Sequence, residues 1–308
     1  MDRDHIIRAN ALTKEYGSLK ALRGIQIGIP GGSTGLLGPN GAGKSTFIKC
    51  ILGLIVPTSG SSEVLGKPSS AFSKGLESRE KVGYVPENEC LEPELDAVSF
   101  VRYMGELSGL PPMEAMQRSH EVLDYVDIQE QRYRPIRTYS TGMRQKVKLA
   151  QALVHDPELI VLDEPTNGMD PKGRQEMLDL IKEVSGEKGK NVLLSSHLLP
   201  DVEYICEHVM IMNQGQVVVA GDIEELTRPS NRYEIRIKGS PEIFEETLIR
   251  LGLDHEKSGS FYHVEAREGL LMDLYKELAK TDVQIRHATM SRMSLEDIFV
   301  SNLQEVPG

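Results

Sequence analysis

The stretch Gly38-Pro39-Asn40-Gly41-Ala42-Gly43-Lys44-Ser45-Thr46 constrains this chain more than any other. It fits the pattern G-x-x-x-x-G-K-[S/T], it follows a short apolar run at Thr34–Leu37, and it opens a helical pattern at Lys44–Leu54. Strand, glycine loop and helix in that order are the context in which this pattern makes a phosphate site. Gly41 and Gly43 let the backbone curl so that successive N–H groups converge on phosphate oxygens. The helix N-terminus adds its dipole. Lys44 supplies a point charge for the β- and γ-phosphates of a nucleotide. The Ser45 hydroxyl can ligate Mg²⁺, and Thr46 can reach the α-phosphate.

A second feature completes the chemistry. Leu159–Leu162 is an apolar run, as expected for a strand buried on both faces, and it ends on Asp163-Glu164-Pro165. Strand C-terminal ends are where open α/β sheets bind ligands. Asp163 is placed to hold the hydration shell of Mg²⁺. Glu164 is placed to orient or deprotonate a water attacking the γ-phosphate.

The remaining patterns set the organisation. Ile6–Leu12, Ile25–Ile29, Lys81–Val85 and Asn191–Ser195 read as strands, and Pro57–Gly60 reads as a loop. Residues 96–152 read mostly as helix, broken at Pro111-Pro112 and Pro135. Met177, Leu178, Ile181 and Val184 follow helical spacing in a helix over 172–184. Val209–Met212 and Val217–Ala220 flank Asn213-Gln214-Gly215-Gln216, a hairpin signal. Strands alternating with helices imply a mostly parallel sheet. The register changes at Arg228-Pro229-Ser230-Asn231, read as a linker. Beyond it, alternation at Tyr233, Ile235 and Ile237, helical spacing at Phe244 and Leu248, and a capping pattern at Ser294-x-x-Asp297 predict a small α+β domain over 229–308.

Composition excludes several classes. The 308 residues carry a formal net charge of −11, which counts against a nucleic-acid surface. No apolar run approaches the roughly 18–20 residues of a membrane helix. The first ten residues lack a signal-peptide stretch. Cys50, Cys90 and Cys206 form neither a metal pattern nor a disulfide framework, which fits a reducing, cytoplasmic setting.

Between the loop and the acidic pair lies Tyr139-Ser140-Thr141-Gly142-Met143-Arg144-Gln145. It is similar to the L-S-G-G-Q signature of the ATP-binding subunits of ABC transporters, with Tyr, Thr and Met as departures. Asn167-Gly168-Met169-Asp170 resembles that family's D-loop, Ser195-Ser196-His197 its switch-histidine motif, and Tyr16 the aromatic residue that stacks on adenine. The motifs stand in the family's order over about residues 5–225. The Gly83-Tyr-Val-Pro-Glu87 segment and the ending Ser294-Leu-Glu-Asp-Ile-Phe299 resemble the exporter branch of ABC-2 type. Other members usually carry Gln where Glu87 stands. Soluble members of the family that act on ribosomes or DNA carry two cassettes with a basic linker, or a long coiled-coil insertion, and this chain has neither pattern.

The resemblance implies an α/β P-loop ATPase cassette over 1–228, with a mostly parallel core sheet, an antiparallel β subdomain and a helical subdomain. It implies ATP hydrolysis driving transport, with Mg²⁺ held by Ser45, Asp163 and Glu87. Lys44, Glu164 and His197 are expected to act on the γ-phosphate. Residues 38–46 and Tyr16 are expected to hold the nucleotide. Two cassettes would meet head to tail, so Ser140 and Gly142 would contact the partner's γ-phosphate. A permease on a separate chain would place the protein on the inner face of the cell membrane.

Overall fold

A computed structural model describes residues 5–69, 79–186, 188–227, 229–292 and 294–304. Arg228 and the ends of the two expected ranges, residues 1–4 and 305–308, lie outside the described residues. Contacts divide the chain into two units, the first running to Ile223 and the second starting at Glu224.

The first unit holds two sheets. β1 (His5–Tyr16), β2 (Leu19–Pro30), β4 (Ser59–Val64) and β5 (Lys67–Pro68) form an antiparallel sheet in the order β2-β1-β4-β5. β3 (Ser33–Leu37), β6 (Val82–Val85), β7 (Leu159–Asp163), β8 (Asn191–Ser196), β9 (His208–Asn213) and β10 (Gln216–Asp222) form the second sheet, ordered β10-β9-β3-β8-β7-β6. Its strands are parallel except for β10, which closes the β9 hairpin. β3, β7 and the body of β8 are buried along their length, which is why they read as unbroken apolar runs rather than alternations.

Helix α1 (Lys44–Ile51) lies within one core built from both sheets. Phe47 and Ile48 are fully buried beside Leu12 and Leu22 of the antiparallel sheet and Val161 and Met210 of the parallel one. A helical group follows: α2 (Ala97–Leu107), α3 (Pro112–Tyr125) and, after two short 3₁₀ turns, α4 (Thr141–Leu153). Asp96 caps α2 by accepting from the Ser99 N–H, and Pro112 starts α3 where its missing N–H costs nothing. α5 (Pro171–Gly186) and α6 (Leu199–Ile205) flank β8, and α7 is the short turn Ile223–Leu226.

The second unit is an antiparallel sheet, β12-β13-β11-β14, from β11 (Pro229–Lys238), β12 (His255–Ser258), β13 (Phe261–Glu265) and β14 (Gln284–Arg292). α8 (Pro241–Arg250) and α9 (Leu270–Leu278) share its core, and α10 (Leu295–Gln304) ends it. Phe244 meets Tyr262 edge-on at 4.9 Å between ring centroids. The capping pattern at Ser294 forms as read: its hydroxyl accepts from the Asp297 N–H at 3.1 Å, and the Asp297 carboxylate accepts from the Ser294 N–H at 3.0 Å.

One expectation is corrected here. Pro229-Ser230-Asn231 is not a linker but the start of β11, with Pro229 opposite Arg292 of β14. Proline is tolerated as the first residue of a strand, so a turn-rich composition does not exclude the ladder.

Candidate functional site

The loop from Gly38 to Gly43 joins β3 to α1, and its shape is held by backbone. Gly43 has φ +102°, and a Cβ there would lie 2.6 Å from the Ala21 carbonyl oxygen. The Ala42 carbonyl accepts from the Gly215 N–H at 2.9 Å, so the β9–β10 hairpin braces the loop from behind. These contacts leave the loop lining an open cleft of about 770 Å³.

Four strand ends deliver the charged groups to this cleft. Lys44 donates to the Gly38 carbonyl at 2.7 Å and lies 3.4 Å from Glu164 Oε1. The other oxygen of Glu164, Oε2, is 2.8 Å from His197 Nδ1 just past β8. Asp163 is almost fully buried, and its Oδ1 accepts from Ser195 Oγ at 2.7 Å and from Ser45 Oγ at 3.2 Å. Glu87, two residues past β6, lines the same cleft. Burial raises the pKa of the Tyr84 hydroxyl, and the charges of Asp163, Cys90 and Glu87 push it further in the same direction.

Tyr16 ends β1 on the cleft wall, about half exposed, with Lys14 Nζ 5.0 Å from its ring centroid. Pro39 through Thr46 line the cleft as well. Ser140 and Gly142 do not. Ser140 is the N-cap of α4, its hydroxyl accepting from the Met143 N–H at 3.2 Å. Gly142 lies beside Met169: a Cβ added there would be 3.5 Å from the methionine Cε.

Sequence reasoning missed several members. Gln214 lines the cleft at φ +46°, and Lys20 and Arg23 of β2 line it too. Asp201 of α6, 1% exposed, accepts from Thr166 Oγ1 at 3.0 Å and from Arg174 Nε at 2.9 Å, joining the segment after Glu164 to the helix after His197. The hairpin signal at 213–216 could have pointed to Gln214. Nothing local marks Asp201. None of the cysteines belongs to the site: Cys50 and Cys206 are buried, and burial raises the Cys50 thiol to about 11 against the opposing charge of Lys14.

A family profile described as ABC transporter matches residues 22–167. An uncharacterized ABC transporter ATP-binding protein of Synechocystis is 34% identical over 290 residues, which are 93% of this chain and 79% of that one. The bacitracin transport ATP-binding protein of Bacillus licheniformis is 32% identical and covers 96% of both chains. A solved dimeric ATP-binding cassette, in a post-hydrolysis state with ADP and phosphate bound, superposes with a TM-score of 0.64 at 25% identity, over 70% of this chain and 98% of the other.

Proposed function

The chain belongs to the ATP-binding subunits of ABC transporters, an ATPase that powers transport across a membrane, and from that premise we propose how its residues divide the work. Lys44 and the N–H groups of residues 40–46 hold the phosphates, and Tyr16 stacks on adenine. Glu164 takes the proton of the attacking water. His197, in contact with Glu164, orients that carboxylate and reaches the γ-phosphate. The observation that supports this reading most is the single run of contacts Lys44–Glu164–His197, 3.4 Å and 2.8 Å, at the mouth of a glycine loop.

Mg²⁺ fits the donor set. Ser45 Oγ and Asp163 Oδ1 are adjacent hard oxygens, 3.2 Å apart, and Ser45 and Glu87 both line the cleft. Two or three protein oxygens suit an ion that keeps several waters and takes phosphate oxygens for the rest. Bound there, the ion would polarise the phosphates and neutralise charge that develops on them.

Among the described residues no helix is long and apolar enough to cross a membrane. The reading places the membrane path on a separate permease chain, with this subunit on the inner face of the membrane, supported by relatives named as the ATP-binding proteins of transporters. Export is the favoured direction, supported by the likeness to a Nod factor export ATP-binding protein of Cupriavidus metallidurans, 30% identical over 96% of both chains. Ser140 and Gly142 serve the nucleotide of a second cassette, an arrangement supported by their position off the chain's own cleft. The test is Glu164→Gln. It is expected to keep ATP binding and to lower turnover by about 10²- to 10⁴-fold, the usual worth of a general base. The same variant is expected to elute as an ATP-dependent dimer on gel filtration. A monomer with near-normal hydrolysis overturns the assignment.

A further inference from the structure

Away from the charged groups of the cleft, α4 carries a buried ammonium paired only with backbone. Lys148 is 2% exposed, and its Nζ donates to three successive carbonyls, Pro86 at 3.2 Å, Glu87 at 3.3 Å and Asn88 at 2.8 Å. Among the described residues no carboxylate forms an ion pair with it. Burying an unpaired ammonium is costly, and an apolar side chain of similar volume would fill the space without that cost. The three carbonyl dipoles offset the penalty only while the 86–88 backbone keeps its present curvature.

Three residues further along α4, on the same face, Gln151 donates Nε2 to the Tyr84 carbonyl at 2.8 Å. β6 presses on the same helix, since a Cβ at Gly83 would overlap the Ala152 carbonyl. The backbone from Tyr84 to Asn88 is thus strapped to α4, and within it lies Glu87, whose residue lines the nucleotide cleft. The start of α4, at Ser140, lies about 12 Å along the helix axis from Lys148.

We propose that Lys148 is a positioning residue for Glu87: its ammonium fixes the loop backbone so that the Glu87 carboxylate meets the metal and the attacking water, and it ties that placement to the helix that begins at Ser140. The proposal rests on the reading of Glu87 as facing the metal. A merely structural lysine would affect the fold and nothing specific to Glu87, so the two roles separate in a double-mutant cycle.

The experiment measures ATPase activity of the full chain at saturating ATP while Mg²⁺ is titrated, for Lys148→Met, Glu87→Ala and the pair, with ATP affinity measured separately. Lys148→Met is expected to lower kcat about tenfold or more, as misplacement of a catalytic group does, to raise the Mg²⁺ midpoint, and to leave ATP affinity within about twofold. In the Glu87→Ala background the same change is expected to have almost no further effect, and Lys148→Arg, which keeps the donors, is expected to restore most of the loss. An equal fold-loss in both backgrounds, or an unchanged Mg²⁺ midpoint, overturns the positioning role. If Lys148→Met does not fold, Lys148→Gln, which keeps an amide donor, is judged by the same cycle. Wild-type kcat and Mg²⁺ midpoint in Glu87→Ala alone would instead overturn the metal-facing reading of Glu87, and the role of Lys148 with it.

Discussion

Glu164 sits at φ +52°, a conformation that costs a non-glycine residue about 1–2 kcal/mol. Its amide donates to the Ser195 carbonyl at 3.2 Å, and its own carbonyl accepts from the Asn167 N–H at 3.1 Å, so the neighbours hold the residue there. The turn aims one carboxylate oxygen at Lys44 and the other at His197. Strain of this kind gathers where a side chain must point against the run of its strand. Two substitutions probe the facing loop. Lys44→Ala is expected to raise the ATP dissociation constant about 10- to 150-fold, the worth of a hydrogen bond from a charged group at roughly 1.5–3 kcal/mol, measurable by equilibrium binding of a fluorescent nucleotide. Gly43→Ala is expected to abolish that binding, because the added methyl meets the Ala21 carbonyl at a φ that disfavours it. The loop, Asp163 and Glu164 were legible because their chemistry is written within a few consecutive residues. Lys148 and Asp201 were not, since their partners stand 60–62 and 27–35 positions away and each looks like an ordinary surface charge in its helix.

At the scale of elements, the buried parallel strands and the long amphipathic helices announce themselves by apolar runs and by 3.6-residue spacing. β4 and β12 do not: Ser-Gly-Ser-Ser-Glu-Val and His-Glu-Lys-Ser are polar segments whose pairing is set by neighbouring strands rather than by their own composition. The junction of the segment after β8 with α5 is likewise tertiary. Asp201→Ala is expected to destabilise the protein by about 1–3 kcal/mol, since Thr166 loses its buried acceptor and Arg174 its partner, read as a drop in the urea midpoint at unchanged slope. The turn after α4 carries a pH dependence. Burial lowers the pKa of His155, outweighing the hydrogen bond to the Val82 backbone and the neighbouring Asp156, and among the described residues its Nδ1 has no hydrogen-bond partner. The folded state therefore favours the neutral ring. Its contribution is intact above the ordinary value of 6.5 and is lost as pH falls below it, when the unfolded chain takes up the proton more readily. Urea midpoints between pH 7.5 and 5.5 are expected to fall less steeply in His155→Phe than in the parent.

At the scale of the whole molecule, each unit has a core of its own: Phe47, Ile48 and Val161 in the first, Ile235, Phe244 and Leu274 in the second. A chain ending at Leu226 is expected to fold and to bind ATP with unchanged affinity, and an insoluble or non-binding product would show that the two parts are not separable. The change in periodicity near residue 230 reads as a linker, but the turn-forming residues there open β11, because a proline is accepted as the first residue of a strand. The placement of Ser140 has a kinetic meaning. Its hydroxyl caps α4 away from the chain's own cleft, and under the pairing proposed above, in which Ser140 serves the nucleotide of a second molecule, every cleft would need a mate before it could turn over. Hydrolysis by the free subunit should then obey mass action: in dilute solution the rate grows with the square of protein concentration, and it becomes linear only once most molecules have found a mate. Tethering two copies with a flexible linker long enough to allow pairing would remove the quadratic regime without altering a single group in the cleft.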